Sequence, residues 1–429
     1  MRNKRMMIIT LLALILVIGG CSNQREIEGI KHLEGSVSSI SINLEPEEYG
    51  KEIERIINGI DEWYAHTDRK NIDSQYLRET YIGKAESADR FSEFHTVLLQ
   101  LFSELENGHS NVFAGVPEYG VSIRVKLIED KVVITSLGDL EVPDVKVDMG
   151  FVVEEIDQQP VKEWMEERFS LISASTPQAL WQESLEWIFK RYAYEHETRE
   201  YLIRSPQGEE FTVELSLNTP GYELGFHQRS IVETEDFGDY GYIALNTMMD
   251  GIVDAFDEAL ATMIEKEGII LDLRNNGGGN SANGDQMIRR LIQEKTDIWQ
   301  GRSTDPCDKL NYRGKVIALI GPRTFSAAES FAFDLHDSGR VVTMGEATMG
   351  DSGGGPVSFQ TDGGIYFRIP TRGVDRSASG LLMEGKGLEP HVLVEQTYKD
   401  FLKEIDTPLE TARKELLEKS DGKSDGKIE

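Results

Sequence analysis

Only two cysteines, Cys21 and Cys307, occur in 429 residues. That is too few for the disulfide framework that staples small secreted domains. Basic side chains are also scarce: 45 Lys and Arg stand against 75 Asp and Glu, a formal charge of −30. So acidic a surface repels phosphate backbones, which excludes nucleic acid as a partner. There is no Gly-rich loop ending in Lys-Ser/Thr and no Gly-x-Gly-x-x-Gly fingerprint, and the eight scattered histidines form no His-Glu-x-x-His pair. No cofactor and no metal are therefore expected. The unbroken apolar run from Met6 to Ile18 is too short for a membrane-spanning helix. With 39% hydrophobic and 28% charged residues, the chain reads as a globular protein of two or three domains.

Arg2, Lys4 and Arg5 precede the apolar run, which closes in Gly19-Gly20-Cys21. This N-terminus resembles a bacterial lipoprotein signal, in which cleavage leaves Cys21 as the lipidated first residue. A plain signal peptide is the alternative. The resemblance implies a chain of the cell envelope, held by lipid on Cys21 to the outer, extracytoplasmic face of the membrane, with Cys307 left unpaired. Residues 1–20 are then the leader and 21–46 a polar tether.

Residues 47–114 read as a small helical domain. Ile53, Ile56, Ile57 and Ile60 form one apolar stripe, and Phe94, Val97, Leu98, Leu101, Phe102 and Leu105 form a second, which Gly108 ends. Residues 115–219 read mostly as strands, with a helical insertion between Val161 and Ile203. The Gly-centred turn and strand at 147–161 resemble part of a PDZ domain; a purely structural β-domain is the alternative. From 220 to 397 strands alternate with helices, which requires crossover connections and a partly parallel sheet. A last helix from Tyr398 to Lys419 and a polar repeat, expected to be disordered, complete the chain at 398–429.

In the α/β part, Lys315 to Ile320 has strand length, Gly321-Pro322 breaks it, and helical spacing begins at Ala327. Ser326 thus stands where a turn meets a helix N-terminus, where backbone N–H groups have no helical partners and can hold an anion. Taken alone, Ser326 reads as a helix cap, with Glu329 completing a capping box. The triple-glycine loop Gly277-Gly278-Gly279 lies at the end of the neighbouring apolar strand Gly268 to Arg274, where ligands of such sheets sit. Acyl transfer, which needs a nucleophile, a base, an orienting group and oxyanion donors, is the chemistry left open.

Four segments together resemble the C-terminal processing (tail-specific) protease family of serine peptidases. They are Gly268-Ile-Ile-Leu-Asp-Leu-Arg-Asn-Asn-Gly-Gly-Gly279, Thr324-Phe-Ser-Ala-Ala-Glu329, Gly345-Glu-Ala-Thr-Met-Gly350 and Glu384-Gly-Lys-Gly-Leu-Glu-Pro390. The resemblance implies a multi-domain α+β protein with a ClpP/crotonase-like α/β catalytic core, a mixed sheet with crossover helices. It turns the reading of Ser326 from cap to nucleophile. In the tail-specific branch a lysine follows the Thr-x-Gly stretch as general base; here Asp351 follows Gly350, and Lys386 lies in a different loop. The tricorn branch uses a histidine from the N-terminal half, and Leu105-Glu-Asn-Gly-His-Ser110 resembles its motif, although the serine there precedes the histidine. The resemblance therefore implies His109 as base, Glu384 as its charge partner, and Ser110 as a relay between them. Backbone N–H groups of Ala327 and of Gly277 or Gly278 form the oxyanion hole, and the substrate is a protein or peptide. Each residue has a plainer alternative: His109 as a helix-dipole partner, Glu384 as a surface carboxylate, Ser110 as a turn residue. A non-catalytic binder of peptide termini or apolar ligands, and a hydrolase of small esters or amides, are the alternative functions. Substrate preference and oligomeric state are not encoded in any motif.

Overall fold

A computed structural model describes residues 27–33, 42, 44–138, 147–224, 229–351, 355–373 and 376–418. The leader, Cys21, most of the tether and the polar repeat after residue 418 lie outside the described residues. Among the described residues no helix is long and apolar enough to cross a membrane.

Three large hydrophobic cores organise the described residues. In the first, helices Tyr49–Trp63, Ser74–Glu86 and Phe91–Ser103 turn the two predicted stripes inward, so that Ile53, Ile56, Ile57, Ile60, Phe94, Leu98 and Leu101 are fully buried. These helices do not close a core alone. Strands Val357–Thr361 and Tyr366–Ile369, from the segment assigned by sequence to the catalytic domain at 220–397, insert Phe359, Phe367 and Ile369 among them. The antiparallel sheet runs Ile30–Leu33, Val357–Thr361, Tyr366–Ile369, Asn111–Phe113. Two expectations are thereby corrected. Ile30–Leu33 is an edge strand and not tether, because Ile30 packs against this core. The predicted boundary between residues 47–114 and 220–397 is crossed by a hairpin that gives its aromatic face to the N-terminal helices.

The second core belongs to the inserted β module. Its sheet runs Glu210–Ser216, Thr198–Arg204, Val152–Ile156, Lys131–Ser136, Arg124–Ile128, with helices Val161–Arg168 and Pro177–Leu185 between the strands in sequence. Tyr201, Ile134 and Ile203 are fully buried there.

The third core carries the α/β sheet, in the order Val232–Asp236, Tyr240–Leu245, Gly268–Asp272, Lys315–Ile320, Val341–Gly345, Val392–Leu393. The first pair is antiparallel and the rest are parallel, the mixed sheet with crossover helices that alternation implies. Helices Ile252–Thr262, Ser281–Ile288 and Ala327–Asp337 bury Phe256, Leu260, Met287 and Phe331 on one face. Helix Thr407–Glu418 covers the other face through Ala412 and Leu416. The single terminal helix expected from Tyr398 is in fact two. Glu404 takes a positive φ of 59°, and Pro408, suited to a first turn because it lacks an N–H, restarts the helix. The short first piece, Tyr398–Phe401, packs on Ile128, Val133 and Val152 of the β module.

Phe367 touches Phe102 and Phe359 at ring separations of 6.0 and 5.3 Å and is fully buried. Phe367→Ala is expected to lower stability by about 3–5 kcal/mol, read from the midpoint of urea unfolding. A midpoint unchanged from wild type would show that the hairpin does not complete the N-terminal core.

Candidate active site

Ser326 is held by a turn assembled from both neighbouring strand ends. After Lys315–Ile320 the Thr324 hydroxyl donates to the Leu273 carbonyl at 2.9 Å, and the Phe325 amide donates to the Asn276 carbonyl at 3.1 Å. These bonds tie the serine turn to the loop after Gly268–Asp272. Ser326 itself has φ 56° and ψ −121°, a region that L residues avoid and that persists only where the surroundings enforce it. As the expected capping box requires, Glu329 Oε2 accepts the Ser326 N–H at 3.1 Å. The Ser326 side chain makes no cap hydrogen bond; its Oγ lies 2.9 Å from His109 Nε2, across 217 positions of sequence.

Beneath the turn, Glu329 is fully buried. Its Oε1 accepts the Thr348 hydroxyl at 2.6 Å and the Gly350 N–H at 2.7 Å. Burial pushes its carboxyl up to about 8, against the opposing pull of those donors. It therefore braces the serine turn against the 348–350 segment.

His109 arrives on the loop that follows helix Phe91–Ser103, where Glu106 takes φ 46° to end the run. The imidazole is 5% exposed and stacks on Phe325 at 4.5 Å. The backbone N–H of His109 donates to Asn107 Oδ1 at 2.9 Å. Among the described residues its Nδ1 has no hydrogen-bond partner. Burial first, and then the charge of Arg368, lower its pKa to about 4, while Glu384 opposes them.

Glu384 is no surface carboxylate: it is 1% exposed. Its Oε2 accepts the Asn107 amide at 3.0 Å, and its Oε1 lies 2.8 Å from the Lys70 ammonium. One link from Glu384 to His109 therefore runs through Asn107, which holds the histidine's backbone; Ser110 was the relay expected. Ser110 is buried beside them, its hydroxyl 3.5 Å from Asn107 Oδ1, too long for a strong bond. Asn107 and Lys70 were missed by the sequence reading; an Asn before Gly signals a turn, and a lone lysine on a short helix signals nothing.

The glycine loop divides its roles. The Gly278 N–H is already given to Asn276 Oδ1 at 3.0 Å, which removes it as an oxyanion donor in this arrangement. Gly278 instead permits close approach. A Cβ there would sit 2.7 Å from the Phe325 carbonyl and 2.9 Å from Ser326 Cβ, and its φ of 93° also demands glycine. Gly277 is exposed and lines a cavity of about 660 Å³ together with Ser110, Phe325 and Asp351. Ala327, the other expected donor, opens helix Ala327–Asp337. Asp272 and Arg274 are structural: Arg274 bridges Asp272 to Asp406, both of its bonds to Asp406 measuring 2.8 Å. Among the described residues no cluster of three or more His, Cys, Asp or Glu could hold a metal.

Residues 239–394 match the model of peptidase family S41. The chain is 29% identical over 211 residues to the carboxy-terminal processing protease CtpA of Bacillus subtilis, covering 45% of this chain and 44% of that protein. It is 25% identical over 201 residues to the tricorn protease of Thermoplasma acidophilum, covering 44% of this chain and 18% of that one. The chain spans less than half the length of the curated relatives it matches. Among solved structures, a CPAF mutant superposes with a TM-score of 0.75 at 14% identity over 90% of this chain and 99% of the other. The tricorn protease superposes at 0.51 with 18% identity, over 88% of this chain and 37% of that one. Both share this fold.

With the His109 pKa lowered to about 4, the neutral ring persists well below the ordinary imidazole value near 6.5. The acid limb of kcat/KM, which reports the free protein, is expected below pH 6, whereas an unshifted imidazole would put it at 6–7. The same sign governs stability: the unfolded chain takes up the proton first, so stability falls as pH drops from about 6.5 to about 4. A pH–rate profile on a peptide substrate measures the limb directly.

Proposed function

We propose that this chain, which carries a peptidase family S41 domain at residues 239–394, is a serine endopeptidase. It would cleave protein or peptide substrates through an acyl-enzyme on Ser326, with His109 as general base. The observation that carries this reading is the 2.9 Å contact between His109 Nε2 and Ser326 Oγ, within reach of direct proton transfer.

Ser326 Oγ bonds to the scissile carbonyl carbon as its proton passes to His109 Nε2. The carbonyl oxygen, now negative, would be received by the Gly277 and Ala327 N–H groups, since fixed backbone donors stabilise charge as it develops. Stacking on Phe325 at 4.5 Å keeps the imidazolium in line. Glu384, whose charge favours the protonated ring, offsets the burial that opposes it. His109 then gives the proton to the leaving amine, and water repeats the sequence to release the acyl group. Asp351 in the place of a lysine supports the histidine over a Ser-Lys pair.

Ser326→Ala and His109→Ala are each expected to cut peptide hydrolysis by at least about 10³-fold, and wild-type Ser326 to be labelled covalently by a fluorophosphonate. Peptide binding with neither labelling nor turnover would replace this reading with a binding protein on the same scaffold.

We also propose anchorage to the outer face of the bacterial membrane through lipid on Cys21, on the strength of the Arg2–Gly20 leader pattern. Cys21→Ala is expected to move the chain from the membrane fraction to the soluble fraction. Equal membrane association of both forms would sink the anchor.

A further inference from the structure

The junction on which His109 depends contains a buried carboxyl that the reaction above does not use. Asp351 is fully buried. Its Oδ1 accepts two backbone donors from separate segments, the Gly108 N–H at 2.7 Å and the Ser175 N–H at 3.1 Å. Its Oδ2 has no hydrogen-bond partner among the described residues. Gly108 precedes His109 directly. Ser175 belongs to the loop leading into helix Pro177–Leu185 of the β module.

The neighbouring bonds show how much converges here. Ser175 Oγ donates to the Gly350 carbonyl and Thr176 Oγ1 to the Met349 carbonyl, each at 2.5 Å. Ser173 Oγ accepts the Asn107 N–H at 3.0 Å and donates to the Asn107 carbonyl at 2.9 Å. Each of these joins two segments. Asp351 joins three: its own, the histidine loop and the β-module loop. Two bonded routes leave it. One runs through Gly350 and Glu329 to the Ser326 N–H, and the other through Gly108 to His109. The carboxyl stands between the nucleophile's support and the base's support. As a mere scaffold it is a poor choice, since a buried carboxyl with an unmatched oxygen is destabilising.

We infer that Asp351 is a positioning residue that latches the His109 loop to the segment bracing Ser326, so that turnover depends on it while substrate binding does not. This rests on the peptidase reading. The residue standing where a lysine base would be looked for supplies no base of its own; it fixes the loop on which the base is carried. Gly108 is matched to it, because a Cβ at position 108 would lie 2.9 Å from Asp351 Oδ2.

The test uses the full chain and three variants. Asp351→Ala removes both accepted bonds, Asp351→Asn keeps an oxygen for them, and Gly108→Ala pushes on the latch with the carboxyl intact. A misplacement of about 1 Å costs on the order of 10²-fold in rate. Asp351→Ala is therefore expected to lower kcat at least about 30-fold with KM within about threefold, and to slow fluorophosphonate labelling of Ser326 in proportion. Asp351→Asn is expected within about fivefold of wild type, and Gly108→Ala to lose about tenfold in kcat. Asp351→Ala at the wild-type kcat, or Asp351→Asn as impaired as Asp351→Ala, overturns the latch. If Asp351→Ala does not fold, Gly108→Ala decides: an unchanged kcat overturns the latch. A wild-type chain that is neither labelled nor active overturns the peptidase reading on which the latch rests, an outcome distinct from an active wild type with equally active variants.

Discussion

The structure depends on the tie between segments 107–110, 173–178 and 348–351. His109 and Ser326 come from different cores, and nothing in either core alone would keep Oγ and Nε2 at 2.9 Å. What keeps them there is a set of short bonds between backbone and side chains at the junction, with Asn107, Glu329 and Asp351 as its polar centres. Three buried carboxyls, Glu329, Asp351 and Glu384, lie within this region. Glu384 is in direct ion-pair contact with Lys70. The other two are held by hydrogen-bond donors, and burial raises both pKa values, that of Asp351 to about 7. Such groups are stable only when their donors are well aimed, and this makes the junction rigid.

Burial acts on His109 in the opposite sense. A charge on His109 is disfavoured by the low-dielectric pocket and by Arg368, so the resting ring is neutral and ready to accept a proton. Glu384 sits close enough to favour the charged form without bonding the ring. In the reaction proposed above, this separates the two tasks of a base: burial would keep it free of protons at rest, and a fixed anion nearby would stabilise the proton during turnover.

Much of this was legible in the amino-acid order. The isoleucine stripe at 53–60, the apolar strands of the mixed sheet and the Ser326 turn are local patterns, written in spacing and in glycine positions. The family motifs named His109 and Glu384, but not how they meet. Asn107 as the link, Lys70 as the counter-charge and Asp351 as the tie are contacts between residues far apart in the chain, 277 positions for Asn107 and Glu384 and more for Lys70 and Glu384, and no periodicity encodes such pairs. The hairpin Val357–Thr361 and Tyr366–Ile369 was assigned to the wrong core for the same reason: alternation states that one face is buried, not against what. Gly278 was named for a free N–H, which its neighbour Asn276 occupies.

The exchange of that hairpin has a consequence for how the molecule comes into being. The N-terminal helices are synthesised first, yet Phe359, Phe367 and Ile369, which complete their core, follow some three hundred positions later. Contacts of such long sequence separation form late and slowly. Until the hairpin arrives, the helix bundle that carries His109 is unfinished, and Glu384 follows the hairpin in the chain. On the proposed peptidase reading, a nascent chain would hold no assembled cutting site while its own unfolded segments are the nearest peptide bonds, so the order of synthesis would shield the protein from itself.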